Sequence, residues 1–226
     1  MAVQNFDKLN ILQRRSLPYD EYFGDMLISE SQKDKRKHTA LILEDVLSII
    51  LEVLFTEITM KMVNKVGIKQ EFIYELYDAI EDEDFFDDED QFYDYLFTLI
   101  DEIVDSTVDN MEKHPNDYDY TGETPYWVSK DRAQFIAENE ANTLWNGKEF
   151  IEAIKEGKTD KIWMVYPDDN VRPTHIELNG AIIPIDAYFD VGGARMLYPK
   201  DTTSELSTGT DFPEEVINCR CTVIYV

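Results

Sequence analysis

The sequence predicts an α+β protein in which an N-terminal antiparallel helical domain precedes a small domain made of a helix and an antiparallel sheet. Over 33–111, apolar residues recur at spacings of three and four, as on one face of a helix. From 161 onward, short apolar or alternating segments follow one another between turn residues, as in strands. A stretch rich in Pro, Asn, Asp and Gly separates the two patterns. We therefore predict domains over 1–115 and 128–226, joined by a linker over 116–127.

Three helices with short connections are predicted in the first domain. The first runs over 33–66 and should end at Gly67, because glycine is common just past the end of a helix. The second covers 70–80 and the third 91–111. Between these two, eight of the ten residues over 81–90 are acidic. So dense a run of like charge repels itself, and we expect a loop or a frayed helix start there.

The second domain should begin with a helix over 130–145, with Ser129 as its N-cap. Asn146 and Gly147 are expected to stop this helix, and 150–155 could add another turn. The pattern then changes to strand signals. The predicted strands are KIWMVY, HIEL, AIIPI, ARMLY and CTVIYV, with turns at 167–170 and at Asn179-Gly180.

The charge of the chain argues against a main role in holding DNA. Its formal net charge is -26, whereas nonspecific DNA affinity comes from Lys and Arg that neutralise phosphates. We interpret the densest basic cluster, Lys33, Lys35, Arg36 and Lys37, as the solvated start of a helix. The most apolar stretch, over 39–66, is interrupted by acidic residues, so no membrane span is predicted.

Cys219 and Cys221 raise the question of a reactive or metal site. A single residue separates them, which gives no disulfide framework and favours a reducing compartment. Two thiols and the imidazole of His175, on a neighbouring predicted strand, could supply three of four zinc ligands. The Cys-x-Cys spacing differs from the Cys-x2-4-Cys of structural zinc sites, so neither a metal nor a cofactor is assigned. A metal-binding or hydrolytic module using these three residues, with Asp168 as the orienting group, is the alternative kept open.

Arg172 and Arg220 favour a structural interpretation of the same region. An arginine can hydrogen-bond several carbonyl groups or pair with a carboxylate such as Asp168. We expect such contacts to tie a turn to the terminal strand, with His175 as part of the same polar network. No oxyanion hole or nucleophile elbow is recognisable, so no residue is assigned as catalytic.

The ordered series DRAQFIAENEANTLWN, KIWMVYPDDNVRPTHIELNG and PEEVINCRCTVIYV resembles the Mu F-like domain of phage minor head morphogenesis proteins. The resemblance covers roughly 128–226. Its most diagnostic parts are Val-Arg-x-x-His over 171–175, Leu-Asn-Gly over 178–180 and Asn-Cys-Arg-Cys over 218–221. The motif residues, which we expect to be structural, are Trp163, Asp168, Arg172, His175, Gly180, Asn218, Cys219, Arg220 and Cys221.

The resemblance implies a non-enzymatic minor head protein that associates with the portal protein and supports genome packaging or ejection. The major capsid or scaffold protein is a further possible partner that it suggests. It places the chain in the virion, in the head interior or near the portal, and in the host cytoplasm during assembly. The segment YDEYFGDMLISESQKDKR, over 19–36, also looks like the opening of minor head proteins from phages of Gram-positive hosts.

Overall fold

The computed structural model describes Gly24 and residues 26–113, 124–166 and 171–226. Within these ranges, the first elements from Glu30 onward are four long helices: α1 (Glu30–Met60), α2 (Lys65–Ile80), α3 (Glu89–Lys113) and α4 (Lys130–Lys155). They are followed by β1 (Asp160–Met164), α5 (Pro173–Ile176), β2 (Ile182–Pro184), β3 (Phe189–Val191), β4 (Ala194–Met196), α6 (Pro213–Val216) and β5 (Thr222–Tyr225). These elements confirm the α+β class.

Helix α1 starts earlier and ends earlier than the sequence pattern suggested. Ser29 and Gln32 form a reciprocal capping box at its start. Lys61 takes a left-handed conformation with φ of 54°, and its N–H caps the carbonyl groups of the last turn. The prediction that Gly67 ends this helix is wrong. Gly67 lies in the first turn of α2, where its N–H donates to the side chain of Asn64, the N-cap of α2.

The acidic run over 81–90 forms a connection, as the density of charge predicts. A 3-10 turn covers Glu81–Glu83, and α3 begins at Glu89. Phe85 within this run is buried in the helical core, which anchors the otherwise polar connection. Glu89 and Asp90 then lie in the first turn of α3, where the helix dipole favours negative charge.

Helix α4 is continuous, so the predicted stop at Asn146 and Gly147 is wrong. Ser129 does cap its start by accepting from the N–H of Arg132. The side chain of Asn146 is committed to tertiary contacts, because it accepts from Arg36 and donates to the Pro199 carbonyl. It therefore does not compete with the helix backbone, which is the usual reason that asparagine ends a helix.

Helices α1 and α4 pack against each other around a buried ion pair. Arg36 is fully buried, and its guanidinium donates to both carboxylate oxygens of Glu149 at 2.7 and 2.9 Å. The same group also donates to Asn142 and Asn146. The interpretation of Arg36 as part of a solvated helix start is therefore wrong. The sequence pattern did not distinguish Arg36 from its basic neighbours, because its partners lie more than 100 positions later in the sequence.

A single apolar core joins the first three helices to α4. It includes Leu43 and Leu47 of α1, Leu96 of α3 and Ala137 and Leu144 of α4, among others. Helix α4 thus shares its core with the helices before it, although the sequence pattern assigned it to the second domain. The division at 115 and 128 stays a prediction, and most of the proposed linker lies outside the described residues.

Two small antiparallel sheets complete the fold. Strand β1 lies between β2 and β5, while β3 and β4 form a separate pair. A second core lies among these strands and includes Trp163, Phe189, Met196, Cys219 and Cys221. The predicted HIEL strand is wrong. Its first residues belong to α5, which starts at a proline whose ring presets the helical φ.

Candidate functional site

The described residues bring His175, Cys219 and Cys221 together in the second core. The His175 Nδ1 atom lies 3.4 Å from the Cys221 sulfur and 3.5 Å from the Cys219 sulfur. These three ligand-type atoms all lie within 4.8 Å of one another. All three residues are buried, His175 with 1% of its surface exposed and each cysteine with 2%. We call these three residues the His–Cys–Cys cluster.

Two short helices position the members of the cluster. His175 is held on α5, where its backbone N–H donates to the Arg172 carbonyl at 3.0 Å. The cysteines follow α6 and come just before β5. Between α6 and Cys219 the chain turns sharply at Asn218, which has a left-handed φ of 58°. Asparagine tolerates that conformation better than most residues do, which explains its place in the motif.

Glu215 of α6 holds the far side of the His175 ring. Its Oε2 atom lies 3.0 Å from the His175 Nε2 atom and accepts a hydrogen bond from the Thr174 hydroxyl at 2.8 Å. Gly192 makes room for this carboxylate, because a Cβ atom there would lie 2.5 Å from Glu215 Oε1. Sequence reasoning missed Glu215, since one glutamate in PEEV gives no signal of its own.

The cluster strongly shifts the ionisation of its members. A hydrogen bond from Cys221 lowers the pKa of Cys219 well below its usual range, although burial opposes this, and His175 adds to the lowering. The same hydrogen bond, together with burial, raises the pKa of Cys221 well above its usual range. Burial alone would lower the pKa of His175, but its contact with Cys219 outweighs burial and raises it. Of the two thiols, Cys219 is therefore the one whose ionisation the surrounding contacts favour.

Trp163 of β1 closes the cluster from the sheet side. Its ring lies edge-on to the His175 ring, with centroids 5.8 Å apart. The side chain is fully buried, and its indole N–H has no hydrogen-bond partner among the described residues. This N–H lies near the Cys221 sulfur, where it partly opposes the rise in the pKa of that thiol. A buried indole N–H normally has a partner, and this sulfur is the acceptor available to it.

The remaining motif residues make contacts that shape the backbone. Arg172 donates to the Ile217 carbonyl at 2.5 Å, which joins α5 to the segment before Cys219. The Arg220 guanidinium lies over the Tyr166 ring, 3.6 Å from its centroid. Gly180 turns the chain with φ of 78° and donates its N–H to the Trp163 carbonyl at 2.8 Å. The predicted motif residue Asp168 lies outside the described residues.

Three asparagines of α4 hold the segment around the cluster. Asn142 donates to the Cys219 carbonyl at 3.0 Å, Asn139 accepts from the Asn218 N–H at 2.9 Å, and Asn146 donates to the Pro199 carbonyl at 3.1 Å. All three are buried. The sequence pattern assigned no tertiary contact to any of these three asparagines. Their spacing of three and four was the available signal, because such spacing places side chains on one helix face.

The comparison with protein families identifies this class of protein. A family model described as Phage Mu protein F like protein matches residues 104–224, just over half of the chain. The chain therefore belongs to the Phage Mu protein F-like family, whose members are phage head morphogenesis proteins. The match starts within α3 and contains α4 and the whole His–Cys–Cys cluster. No curated protein and no solved structure matches the chain.

Family membership confirms the resemblance drawn from the sequence motifs. The family is one of structural phage head proteins, so its members belong to the virion. Among the helices of the described ranges, none combines the length and the apolar character needed to cross a membrane.

Proposed function

We propose that this protein is a minor head protein that binds the portal during head assembly and supports genome packaging or ejection without catalysis. Its membership of a family of phage head morphogenesis proteins is the observation that carries the proposal. A site near the portal, inside the head, suits such a role in the virion. During assembly the protein would be in the host cytoplasm.

The helical region is the proposed partner surface. Several large apolar side chains on its helices are exposed, among them Ile49 of α1, Tyr74 of α2 and Phe97 of α3, each with more than half of its surface in solvent. Acidic residues dominate the connection over 81–90. Exposed apolar side chains with an acidic surround suit a partner surface that combines apolar and basic groups. The portal is the proposed partner, with the major capsid or scaffold protein as a further candidate.

Deleting the first 115 residues would be a poor test of this surface. Helices α1 and α4 share a core and the buried pair of Arg36 with Glu149, so a deletion would expose the buried face of α4. Substitutions of exposed side chains leave that core intact. They separate loss of the partner surface from loss of the fold.

The test is co-sedimentation of the full chain with portal assemblies of the same phage. We expect Ile49→Ser with Phe97→Ser to reduce binding, whereas the matched control Ile176→Ser with Ile182→Ser should not. The control side chains are similarly exposed but lie in the C-terminal part. Binding should weaken as salt rises, because exposed charges are screened. Equal loss in both double variants would contradict the assignment of the surface, and no co-sedimentation of the unaltered chain would contradict portal binding.

A further inference from the structure

We propose that the His–Cys–Cys cluster binds one zinc ion through His175 Nδ1 and the two cysteine sulfurs, with Glu215 orienting the histidine. Nothing in this proposal depends on portal binding. It rests on the distances within the cluster, on the arrangement of hydrogen bonds around it and on its burial. The proposed ion ties α5 to the segment between α6 and β5.

The distances suit a tetrahedral zinc ion. Bond lengths of about 2.0–2.1 Å to nitrogen and about 2.3 Å to sulfur, at a tetrahedral angle, place the nitrogen and sulfur atoms about 3.6 Å apart. The observed separations from His175 Nδ1 are 3.4 Å to Cys221 and 3.5 Å to Cys219. The nitrogen is thus almost equally distant from both sulfurs. One ion at the centre of these atoms explains that symmetry.

Hydrogen bonding by the His175 ring alone does not explain why both sulfurs lie beside one nitrogen atom. Glu215 occupies the His175 Nε2 atom, so the Nε2 proton is used there. His175 Nδ1 then has one proton or one lone pair to offer, yet two sulfurs lie beside it. A zinc ion accepts the lone pair and both sulfurs at once. With two thiolates and a neutral imidazole it also forms a site of zero net charge, which lowers the cost of burial.

The surroundings match those of known zinc ligands. A histidine that binds zinc usually donates its other N–H to a carboxylate, and Glu215 is held in that position by the Thr174 hydroxyl. The buried indole N–H of Trp163 forms no hydrogen bond with the part of the chain that the structure describes, although it lies near the Cys221 sulfur. A metal-bound thiolate is an acceptor that this N–H could use. Both contacts constrain the ligands from outside.

The ligand set favours zinc over harder cations. Two sulfurs and an imidazole nitrogen are soft or borderline ligands, whereas magnesium and calcium prefer oxygen. The three residues leave one position of a tetrahedron, which a water molecule can fill. Zinc binding requires two thiolates and an unprotonated His175 Nδ1, so protons leave the cluster for solvent and binding should strengthen with rising pH.

The test uses the full chain without a histidine tag, produced in zinc-supplemented medium. We expect one zinc per chain by elemental analysis, and none in Cys219→Ser or Cys221→Ser. The matched control His38→Ala changes an exposed histidine of α1 and should keep its zinc. Glu215→Gln should bind zinc 10- to 100-fold more weakly, as expected for loss of an orienting carboxylate.

Cobalt substitution keeps the proposal falsifiable even if a cysteine variant fails to fold. The unaltered chain, stripped of metal and titrated with Co²⁺, should develop the thiolate charge-transfer band and the intense visible bands of tetrahedral cobalt. In the metal-loaded chain, the two cysteines should also react slowly with a thiol reagent until a chelator is added. A chain purified without zinc, with no such spectrum on addition of cobalt, would overturn the proposal, as would full zinc content in both cysteine variants.

Discussion

Replacing Arg36 by alanine should sharply destabilise the protein, because its guanidinium is the hub of the contact between α1 and α4. The side chain is fully buried and makes two hydrogen bonds to Glu149, one to Asn142 and one to Asn146. The variant leaves the Glu149 carboxylate, whose side chain is 11% exposed, with Gln32 as its one remaining donor among the described residues. Removing one partner of a buried ion pair typically costs about 3–5 kcal/mol.

This cost should appear as a lower free energy of unfolding in urea, followed by circular dichroism of the helices. A domain usually has only about 5–15 kcal/mol of stability in total, so a loss of this size moves the midpoint well down. The double variant Arg36→Met with Glu149→Leu should recover part of the loss, because it removes the unpaired charge as well as its partner. A change below about 1 kcal/mol in Arg36→Ala, which is the size expected of a surface pair, would refute the assignment of this contact as a buried hub.

Two further predictions concern buried groups of the C-terminal half. Burial raises the pKa of Glu138 to about 7, Glu44 adds to the shift, and Gln134 and Arg220 oppose it. Because the folded pKa lies above the unfolded value, stability should fall as pH rises from about 4.5 through about 7, by up to about 3 kcal/mol. Glu138→Gln should remove this loss of stability, so in urea unfolding it should stabilise the chain more at pH 8 than at pH 5. An equal effect at both pH values would contradict the raised pKa of Glu138. Gly192→Ala should lower the melting temperature by several degrees, because φ is 62° at this position and the new Cβ atom would meet Glu215. In the control Gly157→Ala, φ is 77° and nothing lies nearby, so this substitution should cost only the backbone strain.

The α+β class and most helices could be predicted because they depend on local periodicity. The spacing of four between Tyr95, Leu99, Ile103 and Thr107 is typical of one helix face, and all four are buried on α3. The errors occurred where tertiary contacts override local preference. Gly147 was expected to end a helix, yet α4 runs through it beside the Tyr198 hydroxyl, which a Cβ atom would approach to 3.3 Å. No pattern in the surrounding ten residues contains that information.

The three residues of the His–Cys–Cys cluster could be predicted as a group, whereas Glu215 and the geometry of the site could not. His175, Cys219 and Cys221 were named together from residue type alone, and the structure brings them within bonding reach of one ion. The spacing argument against zinc used only the separation of the cysteines along the chain, and the predicted strand CTVIYV began at Cys221. Both cysteines instead precede β5, after a left-handed turn at Asn218. The turn depends on the backbone conformation of Asn218, which the spacing between the two cysteines does not reveal.

The asparagines of α4 connect the helical region to the cluster more directly than the order of elements suggests. The Oδ1 atom of Asn142 accepts from Arg36 of α1, while its amide donates to the Cys219 carbonyl. Asn146 repeats the arrangement between Arg36 and the Pro199 carbonyl. A single amide group therefore lies between the first helix and a member of the cluster. Because an amide bonded on both sides is held in one orientation, a contiguous set of hydrogen bonds connects Arg36 with the backbone of Cys219. The buried Arg36 of α1 is thus part of the support of the cluster, although it lies outside the segment that the family match covers.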